Sequence, residues 1–552
     1  MAVTLALNGQ ETSLAGGETL FAAAARLGLN LPSSCRGQGK CRECLVEVRS
    51  GQELLSPRTA EEAHLRGEFR LACCSRAQPD AADGRVEAHS LRRASLRVEQ
   101  AAVELPAAAR LDLSALDPAV RREGDRVLLD GREIARSAGP LHGLAMDLGT
   151  TTVVVRCVNL ESGEIVATAA FENPQRFGGS DVMARIQFDT EHPGRLLQRT
   201  LLGYLGRAIA EFPVPAESIF ELVVAGNPTM RDLFFGLDVH SIGQKPYHSL
   251  TEQEFRAGRR STTALDVPAK ALRLPLHPAA RVYGLPLVGG HVGADAAACL
   301  LALGPQHADE LVAIMDIGTN TELFLGNRHR LLAASCPAGP AFEGRAISCG
   351  MPGLDGAVAR VALHDDGSVR ELGVIGGGTP EGLCGSGLID LLSELVRTAQ
   401  VNSFGRFEDG RAAFVLDAAR GLALHERDIN ELAQAKGANV AGLDIAAKRL
   451  GRSPLDIDRF YLAGGFGRHI DVAAARAIGL IPNLPAERIT VVGNAAIEGA
   501  TIALLSVARR RELETAVATV EHVELETDPE FFDHFVAGCL FQPFGLRGEG
   551  RP

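Results

Sequence analysis

The sequence predicts a multidomain protein with a small N-terminal α+β domain, a short linker, and a duplicated α/β domain of two lobes. The 552-residue length exceeds what one hydrophobic core usually organises. Five of the eleven cysteines lie within the first 74 residues, which marks that segment as a separate unit. A strand and tight turn around Asp147 recur 169 residues later around Asp316, which indicates an internal duplication. The expected boundaries are 1–90 for the N-terminal domain, 91–140 for the linker, 141–310 for lobe 1 and 311–552 for lobe 2.

The composition excludes several classes of function. A formal net charge of −12 disfavours binding to a nucleic-acid backbone, because such proteins normally present a basic face. No charge-free apolar run reaches the ~18 residues of a membrane span, and the first residues lack the basic stretch of a signal peptide. We therefore expect a cytoplasmic protein with neither a nucleic-acid nor a membrane partner. In that reducing compartment, closely spaced cysteines indicate a metal site rather than disulfides.

The N-terminal domain is expected to run strand, strand, helix, cysteine loop, strand. Apolar and polar residues alternate over 3–7 and lead into Asn8-Gly9, a hairpin signal. A helix over 18–27 and a strand over 45–48 follow from the same patterns.

The first three cysteines have the spacing of an iron–sulfur loop. Cys35, Cys41 and Cys44 follow C-x5-C-x2-C, and Cys73 and Cys74 come about thirty positions later. Three thiolates on a glycine-bearing loop plus a later fourth are typical of a [2Fe–2S] cluster, although the plant-type loop is one residue shorter. Zinc is the alternative, but a zinc ribbon prefers two C-x2-C pairs and only Cys41 and Cys44 form one. The spacing leaves the fourth ligand open, since only one of two adjacent side chains on an extended segment points inward.

The duplicated turns have the composition of phosphate-binding loops. Asp147 and Asp316 each end a buried strand and are followed by a glycine and hydroxyl-bearing residues. The glycine lets backbone N–H groups reach phosphate oxygens, the hydroxyls donate to them, and the carboxylate holds a Mg²⁺-bound water. The predicted phosphate contacts are Gly149, Thr150, Thr151, Thr152, Gly318, Thr319, Asn320 and Thr321.

A glycine cluster further along the chain suits a nucleoside. Gly464, Gly465 and Gly467 follow a predicted strand and would let an adenine or ribose lie against bare backbone. The small-residue stretches 293–300 and 493–500 predict helices that can cross closely. Their role as connecting helices at the site and simple helix packing are both open.

From about residue 141 onward, the chain resembles the acetate and sugar kinase, heat-shock chaperone and actin superfamily. The resemblance rests on Asp147-Leu-Gly-Thr-Thr-Thr and Asp316-Ile-Gly-Thr-Asn-Thr as phosphate motifs and Leu462-Ala-Gly-Gly-Phe-Gly as the adenosine motif. It implies a two-lobed actin-like ATPase that binds ATP and Mg²⁺. We expect Asp147 and Asp316 to hold the metal and orient water, with Asp295 and Glu322 as further base candidates.

The N-terminal cysteine segment resembles ferredoxins. Arg70-Leu-Ala-Cys73 is similar to their fourth-ligand segment. This resemblance implies a ferredoxin-like (β-grasp) domain with Cys35, Cys41, Cys44 and Cys73 as the cluster ligands.

The combination of both domains is similar to the reductive activators of corrinoid proteins. Further motifs begin at Asn173, Ala225, Cys336 and Gly382. The resemblance implies a homodimer that takes an electron from a low-potential donor and passes it to the Co(II) corrinoid protein of a methyltransferase system, restoring Co(I). Ser335 is a candidate cobalt contact, with ordinary surface solvation as the alternative. The 91–140 segment is too short for the separate middle domain that some members carry.

Three competing functions are weighed against this one. A small-molecule kinase regulated by its cluster would need an acceptor for ATP turnover. An ATP-driven, redox-sensing binding switch would hold a partner and pass it no electron. The activators of 2-hydroxyacyl-CoA dehydratases share the ATPase fold but use a cluster bridging two subunits, and four ligands within one chain argue against them.

Overall fold

The computed structural model describes residues 3–33, 35–79, 83–91, 105–106, 110–464 and 470–544. The predicted site residues Gly465 and Gly467 lie outside the described residues, as does the 92–104 part of the predicted linker. Within the described ranges, none of the helices has the length and apolar character that crossing a bilayer requires.

The N-terminal domain is an α+β fold in which one helix accompanies a five-stranded sheet. Its elements are β1 (Val3–Leu7), β2 (Gln10–Leu14), α1 (Leu20–Arg26), β3 (Leu45–Ser50), β4 (Phe69–Leu71) and β5 (Gly84–Ser90). The order is β2-β1-β5-β3-β4, with β1 and β5 parallel. Asn8 and Gly9 turn β1 into β2 with positive φ, as the predicted hairpin requires. The β-grasp prediction is confirmed.

A small antiparallel sheet lies in the described part of the predicted linker. Its strands are β6 (Val120–Glu123), β7 (Arg126–Leu129) and β8 (Arg132–Arg136). The sequence predicted only the hairpin that turns at Asp130 and Gly131, and that turn is present. Strand β6 adds to it because Val120 and Val127 are buried in one hydrophobic core, a contact that no local pattern reveals.

Lobe 1 contains a six-stranded sheet with helices packed around it. Its elements are β9 (His142–Leu148), β10 (Thr152–Asn159), β11 (Ile165–Glu172), α2 (Val182–Glu191), α3 (Leu196–Ala210), β12 (Ile219–Gly226), α4 (Pro228–Phe235), α5 (Leu250–Arg256), β13 (Leu265–Pro268), β14 (Arg281–Gly284) and α6 (Ala294–Leu303). The strand order is β11-β10-β9-β12-β14-β13.

Lobe 2 contains a second six-stranded sheet and two small sheets. Its elements are β15 (Val312–Ile317), β16 (Thr321–Gly326), β17 (Leu331–Cys336), β18 (Ala357–Leu363), β19 (Val369–Val374), β20 (Gly382–Leu383), α7 (Gly385–Arg397), β21 (Ala413–Asp417), β22 (Leu422–His425), α8 (Glu426–Arg449), β23 (Arg459–Ala463), α9 (Val472–Ala477), β24 (Ile489–Gly493), α10 (Ala495–Leu505), α11 (Val507–Val517), β25 (Glu521–His522) and α12 (Phe531–Gly538). The order of the large sheet is β24-β23-β15-β16-β17-β25.

The two large sheets share one topology. In each, an antiparallel run of three strands comes first, β9 to β11 and β15 to β17. Two later strands then join in parallel beside the first strand, β12 and β14 in lobe 1 and β23 and β24 in lobe 2. This repetition confirms the duplicated two-lobed fold, and it places the turns after β9 and β15 at equivalent positions.

Helices α6 and α10 lie between the two sheets, in a core that contains residues of both. They cross so closely that a β-carbon on Gly499 would lie 1.9 Å from the carbonyl oxygen of Ala298. Only glycine fits there, so the small-residue stretches of the sequence serve close helix packing.

The N-terminal domain packs on lobe 1 and shares a hydrophobic core with it. The ring of His64 meets Phe177 edge-on, with centroids 5.8 Å apart. Gly203 of α3 faces the side chain of Glu43, which directly precedes the third cysteine of the predicted cluster loop. The N-terminal domain and lobe 1 are therefore in direct contact.

Candidate functional site

A cleft lies between the lobes, and most predicted nucleotide residues line it. Those on its walls are Asp147, Gly149, Thr150, Thr151, Thr152, Asp295, Asp316, Gly318, Thr319, Asn320, Glu322 and Gly464. The turns after β9 and β15, which are central strands of their sheets, face each other across the cleft, with the Thr151 and Thr319 hydroxyl oxygens 3.5 Å apart. The duplication thus brings two hydroxyl-rich turns to one place.

Buried polar side chains hold the lobe 1 turn in shape. Asn173 donates through Nδ2 to the Gly149 carbonyl oxygen at 2.8 Å, and Arg185 donates through Nη2 to the Thr150 carbonyl oxygen at 2.6 Å. Asn227, which caps α4, donates to Thr150 Oγ1 at 2.9 Å. Sequence reasoning recognised the Asn173 and Asn227 motifs without assigning them a role. In the structure Asn173 fixes the Gly149 carbonyl and Asn227 fixes the Thr150 hydroxyl, so both side chains hold the turn at the cleft.

Four carboxylates accumulate in the cleft, and burial makes their ionisation costly. Burial raises the pKa of Asp147 to about 7, and the charge of Asp316 adds to this, against a 2.7 Å hydrogen bond from Asn494 Nδ2. Burial also raises the pKa of Asp295 to about 7 and that of Asp316 to about 6, and it raises the pKa of Glu322 well above its usual range. A site rich in carboxylate oxygens suits a hard divalent cation, which would offset this repulsion.

Glu343 is a cleft residue that sequence reasoning missed. It ends a short 3-10 turn, Pro340–Glu343, on the lobe 2 side. Its Oε2 accepts from Thr151 Oγ1 at 2.9 Å and from Thr319 Oγ1 at 2.7 Å, so one carboxylate bridges the two phosphate turns. The sequence motif that begins at Cys336 contains Glu343, but it does not indicate which side chains Glu343 contacts.

Two predicted residues are not where the sequence placed them. Thr321 is fully buried, is absent from the cleft wall, and its hydroxyl has no hydrogen-bond partner within the described structure. Ser335 is only 8% exposed and pairs with Glu322 across β16 and β17. This burial disagrees with the alternative of surface solvation, and the cobalt contact of Ser335 stays a prediction.

Gly464 is the described part of the predicted adenosine motif. Its φ is +122°, and a β-carbon there would lie 2.3 Å from the carbonyl oxygen of Ile317. Glycine is therefore required for β23 to end beside β15 at the cleft.

The predicted cluster ligands form two pairs. The sulfur of Cys44 lies 3.2 Å from that of Cys73. The sulfurs of Cys35 and Cys41 lie 3.9 and 4.0 Å from one hydroxyl, Ser33 Oγ. Cys74 lies beside Cys73 but has no contact with the Cys44 sulfur among the bonds of the described residues. This arrangement supports Cys73 as the fourth ligand.

The loop around Cys35 suits a thiolate. Burial acts to raise the pKa of Cys35, yet its pKa is lowered to about 7 because the backbone N–H groups of Cys41, Gln38 and Lys40 and the Cys41 side chain donate to its sulfur. Gly37 and Gly39 have positive φ, which turns the loop around this sulfur.

The pairing fits a two-iron cluster better than zinc. Two thiolates on each iron require two pairs of sulfurs, whereas zinc requires four ligands around one point. The two pairs of thiols therefore fit [2Fe–2S].

The fold and these two sites define a two-lobed ATPase of the acetate and sugar kinase, heat-shock chaperone and actin class joined to a [2Fe–2S] domain. Three family models match the chain: the 2Fe–2S iron–sulfur cluster binding domain over residues 3–78, the RACo middle region over 142–308, and the C-terminal ASKHA domain of RACo over 310–547. The chain belongs to the family of reductive activators of corrinoid proteins. Its middle region falls in lobe 1 rather than in the segment that precedes it.

Individual relatives agree with this assignment. The corrinoid activation enzyme RamQ of Eubacterium limosum is 27% identical, over 94% of this chain and 95% of that protein. The [Co(II) methylated amine-specific corrinoid protein] reductase of Methanosarcina barkeri is 24% identical, over 74% and 78%. A solved structure of a reductive activator for corrinoid, iron–sulfur protein matches 98% of both chains with 27% identity and a TM-score of 0.70.

Proposed function

We propose that this protein is an ATP-dependent reductive activator that passes one electron from its [2Fe–2S] domain to a Co(II) corrinoid protein and so regenerates Co(I) for methyl transfer. The observation that carries the proposal is that one chain joins a domain with two pairs of thiols, packed on lobe 1, to a two-lobed fold whose cleft carries the duplicated turns. The relatives named above act on corrinoid proteins, and this supports a partner of the same kind.

ATP is needed because the electron transfer is uphill. A ferredoxin-type cluster lies near ~−400 mV, and a gap of ~200 mV to the cobalt costs ~4.6 kcal/mol for one electron. Nucleotide can offset this cost only by favouring a conformation of the complex in which the cobalt is easier to reduce. The cleft between the lobes is the part of the molecule that can respond in this way.

The cleft residues have separate roles in binding ATP and Mg²⁺. Asp147 and Asp316 hold Mg²⁺ and its waters, and their burial makes the carboxylates depend on a cation for full ionisation. Thr150, Thr151 and Thr319 donate to the phosphates. Gly464 keeps the wall beside the nucleoside free of a side chain.

Proton transfer from the attacking water requires a base. Asp295 and Glu322 line the cleft, and burial raises the pKa of both carboxyls, so each binds a proton more readily than an exposed carboxylate does. Glu343 reaches the same phosphate turns and is a third candidate.

The cysteine loop holds the redox group. When bound, [2Fe–2S] supplies one electron, which reduces cobalt from Co(II) to Co(I) with no change in the bonds of the protein. Cys35 and Cys41 form one ligand pair, and Cys44 and Cys73 form the other. The proposal further includes an upstream low-potential donor, a homodimer, and a cytoplasmic setting.

An anaerobic assay tests this proposal. The purified protein is reduced, a Co(II) corrinoid protein is added, and the corrinoid absorbance is followed with and without Mg-ATP. Co(I) is expected only with Mg-ATP, and it should be lost in Cys73→Ser. Persistence of Co(II) across several corrinoid proteins while ATP is hydrolysed would reject the proposal and favour the kinase or the binding switch.

A further inference from the structure

A chain of buried charges connects the nucleotide cleft to the cluster domain. Arg345 lies 3.6 Å from Glu172, measured from Nη2 to Oε1. The same Glu172 oxygen accepts from Arg176 Nη1 at 2.9 Å, and Arg176 Nη2 donates to Glu47 Oε1 at 3.2 Å. Glu47 lies on β3, three positions after the ligand Cys44. All four side chains are at most 15% exposed, so solvent screens them little.

At the cleft end of this chain of charges, Glu343 and a phosphate group compete for the same hydroxyl donors. Each threonine hydroxyl has one hydrogen to donate, and those of Thr151 and Thr319 are both given to Glu343. A phosphate group that takes these bonds must displace the Glu343 carboxylate, which it also repels as a like charge. Nucleotide binding therefore moves Glu343.

The backbone between Glu343 and Arg345 transmits this movement. Gly344 has φ of +75°, and a β-carbon there would lie 2.6 Å from the backbone of Met351. The Arg345 N–H donates to the Pro340 carbonyl oxygen at 3.1 Å and closes the turn. A turn this tightly packed shifts as a unit.

Arg345 is the weakest point of the charge chain. Burial lowers the pKa of Arg345, and the positive charge of Arg176 adds to that effect. Its Nε and Nη2 atoms have no hydrogen-bond partner among the described residues, and the ion pair from Nη2 to Glu172 is long at 3.6 Å. A small shift of the turn is enough to break this contact.

We propose that the Glu343–Gly344–Arg345 turn couples the two sites: phosphate displaces Glu343, Arg345 leaves Glu172, and the cluster domain loses the attraction of this buried cation for Glu47, so its contact with the two lobes loosens. This inference rests on the proposed binding of ATP and adds the route by which it reaches the redox domain. Arg345 acts as a positioning residue, since it touches neither nucleotide nor cluster.

Hydrogen–deuterium exchange on the full-length holoprotein, with and without Mg-ATP, tests the coupling. Mg-ATP should slow exchange at 149–152 and 318–321 in the cleft. In the wild type it should speed exchange about threefold in the interface peptides 64–71 and 174–184. In Arg345→Gln the cleft response should persist and the interface response should vanish, while Arg345→Lys should restore part of it.

Arg66→Gln is the matched control. Arg66 pairs with Glu191 across the same interface at 3.8 Å, but it is 77% exposed and lies outside the charge chain. Its interface response should equal that of the wild type. Glu47→Gln provides a second variant on the cluster side if Arg345→Gln does not fold.

Two results would overturn the inference: an interface unchanged by Mg-ATP in the wild type, or equal acceleration in wild type and Arg345→Gln. Absence of cleft protection would refute nucleotide binding and the inference together. A corrinoid assay without Co(I), alongside the expected exchange pattern, would refute the proposed function and leave the coupling standing.

Discussion

The hydroxyl oxygens of Thr151 and Thr319, one from each lobe, lie 3.5 Å apart, and both donate to the same carboxylate oxygen of Glu343. The two phosphate turns are therefore joined by a protein carboxylate at the place where a phosphate is expected. In this arrangement the Glu343 carboxylate takes the position of the ligand's negative charge.

Glu343→Gln should tighten ATP binding about tenfold, because the variant removes a charge that competes with phosphate for two charge-assisted hydrogen bonds. Isothermal titration of Mg-ATP measures the change in Kd. Glu310→Gln on the exposed surface serves as the control. An unchanged or weaker affinity in Glu343→Gln would contradict the competition.

Asp316→Asn should lower the rate of ATP hydrolysis at least ~100-fold, since the amide cannot balance the charge of a bound cation. Asp147→Asn should behave alike. Steady-state phosphate release measures the effect, and visible absorbance shows whether the cluster domain is intact. Asp309→Asn, at an exposed position, should keep the wild-type rate. If both cleft variants hydrolysed ATP at the wild-type rate, the proposed role of these aspartates would be wrong.

Cys73→Ser should lose the [2Fe–2S] absorbance and most of the bound iron, whereas Cys74→Ser should keep both. The reason is the 3.2 Å approach of the Cys73 sulfur to Cys44, which Cys74 does not share in the described structure. Iron analysis and visible spectra of anaerobically purified protein distinguish the two variants. The reverse result would assign the fourth ligand to Cys74.

His64 should make the protein less stable in acid. Burial lowers its pKa to about 4, and the charges of Arg42 and His192 add to this. In the unfolded chain its pKa is about 6.5, so the unfolded state binds a proton that the folded state does not. The stability from neutral His64 is fully present above about pH 6.5 and is lost as the pH falls toward 4.

His64→Phe should therefore lose less stability than the wild type between pH 7.5 and pH 5, because phenylalanine keeps the edge contact with Phe177 but does not titrate. Urea midpoints at the two pH values measure this difference. The exposed His329→Phe is the control. A pH-dependent loss in His64→Phe equal to that of the wild type would contradict the assignment.

Local sequence signals were sufficient for the overall fold and for most of the turn residues that line the cleft. The Asn8-Gly9 hairpin, the repeat of Asp147 at Asp316 and the cysteine spacing each lie within a few residues of chain. Thr321 was predicted to contact phosphate but does not line the cleft. Side chains alternate along a strand, so Thr321 points away from the cleft because its neighbour Glu322 points into it.

The site residues that the sequence did not predict are defined by tertiary contacts. Glu343 reaches Thr151 across 192 positions, and Asn494 reaches Asp147 across 347. Arg345 of lobe 2 contacts Glu172 of lobe 1, and Arg176 connects Glu172 to Glu47 of the N-terminal domain. No spacing rule encodes such distances, although motifs around Asn173 and Cys336 marked the right segments.

A single-turnover electron count tests the central claim most directly. The holoprotein is reduced and freed of excess reductant, then mixed with a Co(II) corrinoid protein and Mg-ATP while the cluster and corrinoid bands are recorded together. We predict that Co(I) appears at the rate at which the cluster is reoxidised, one cobalt per cluster, and only with Mg-ATP. Co(I) formation without cluster reoxidation, or an equal yield from Cys73→Ser, would contradict the account.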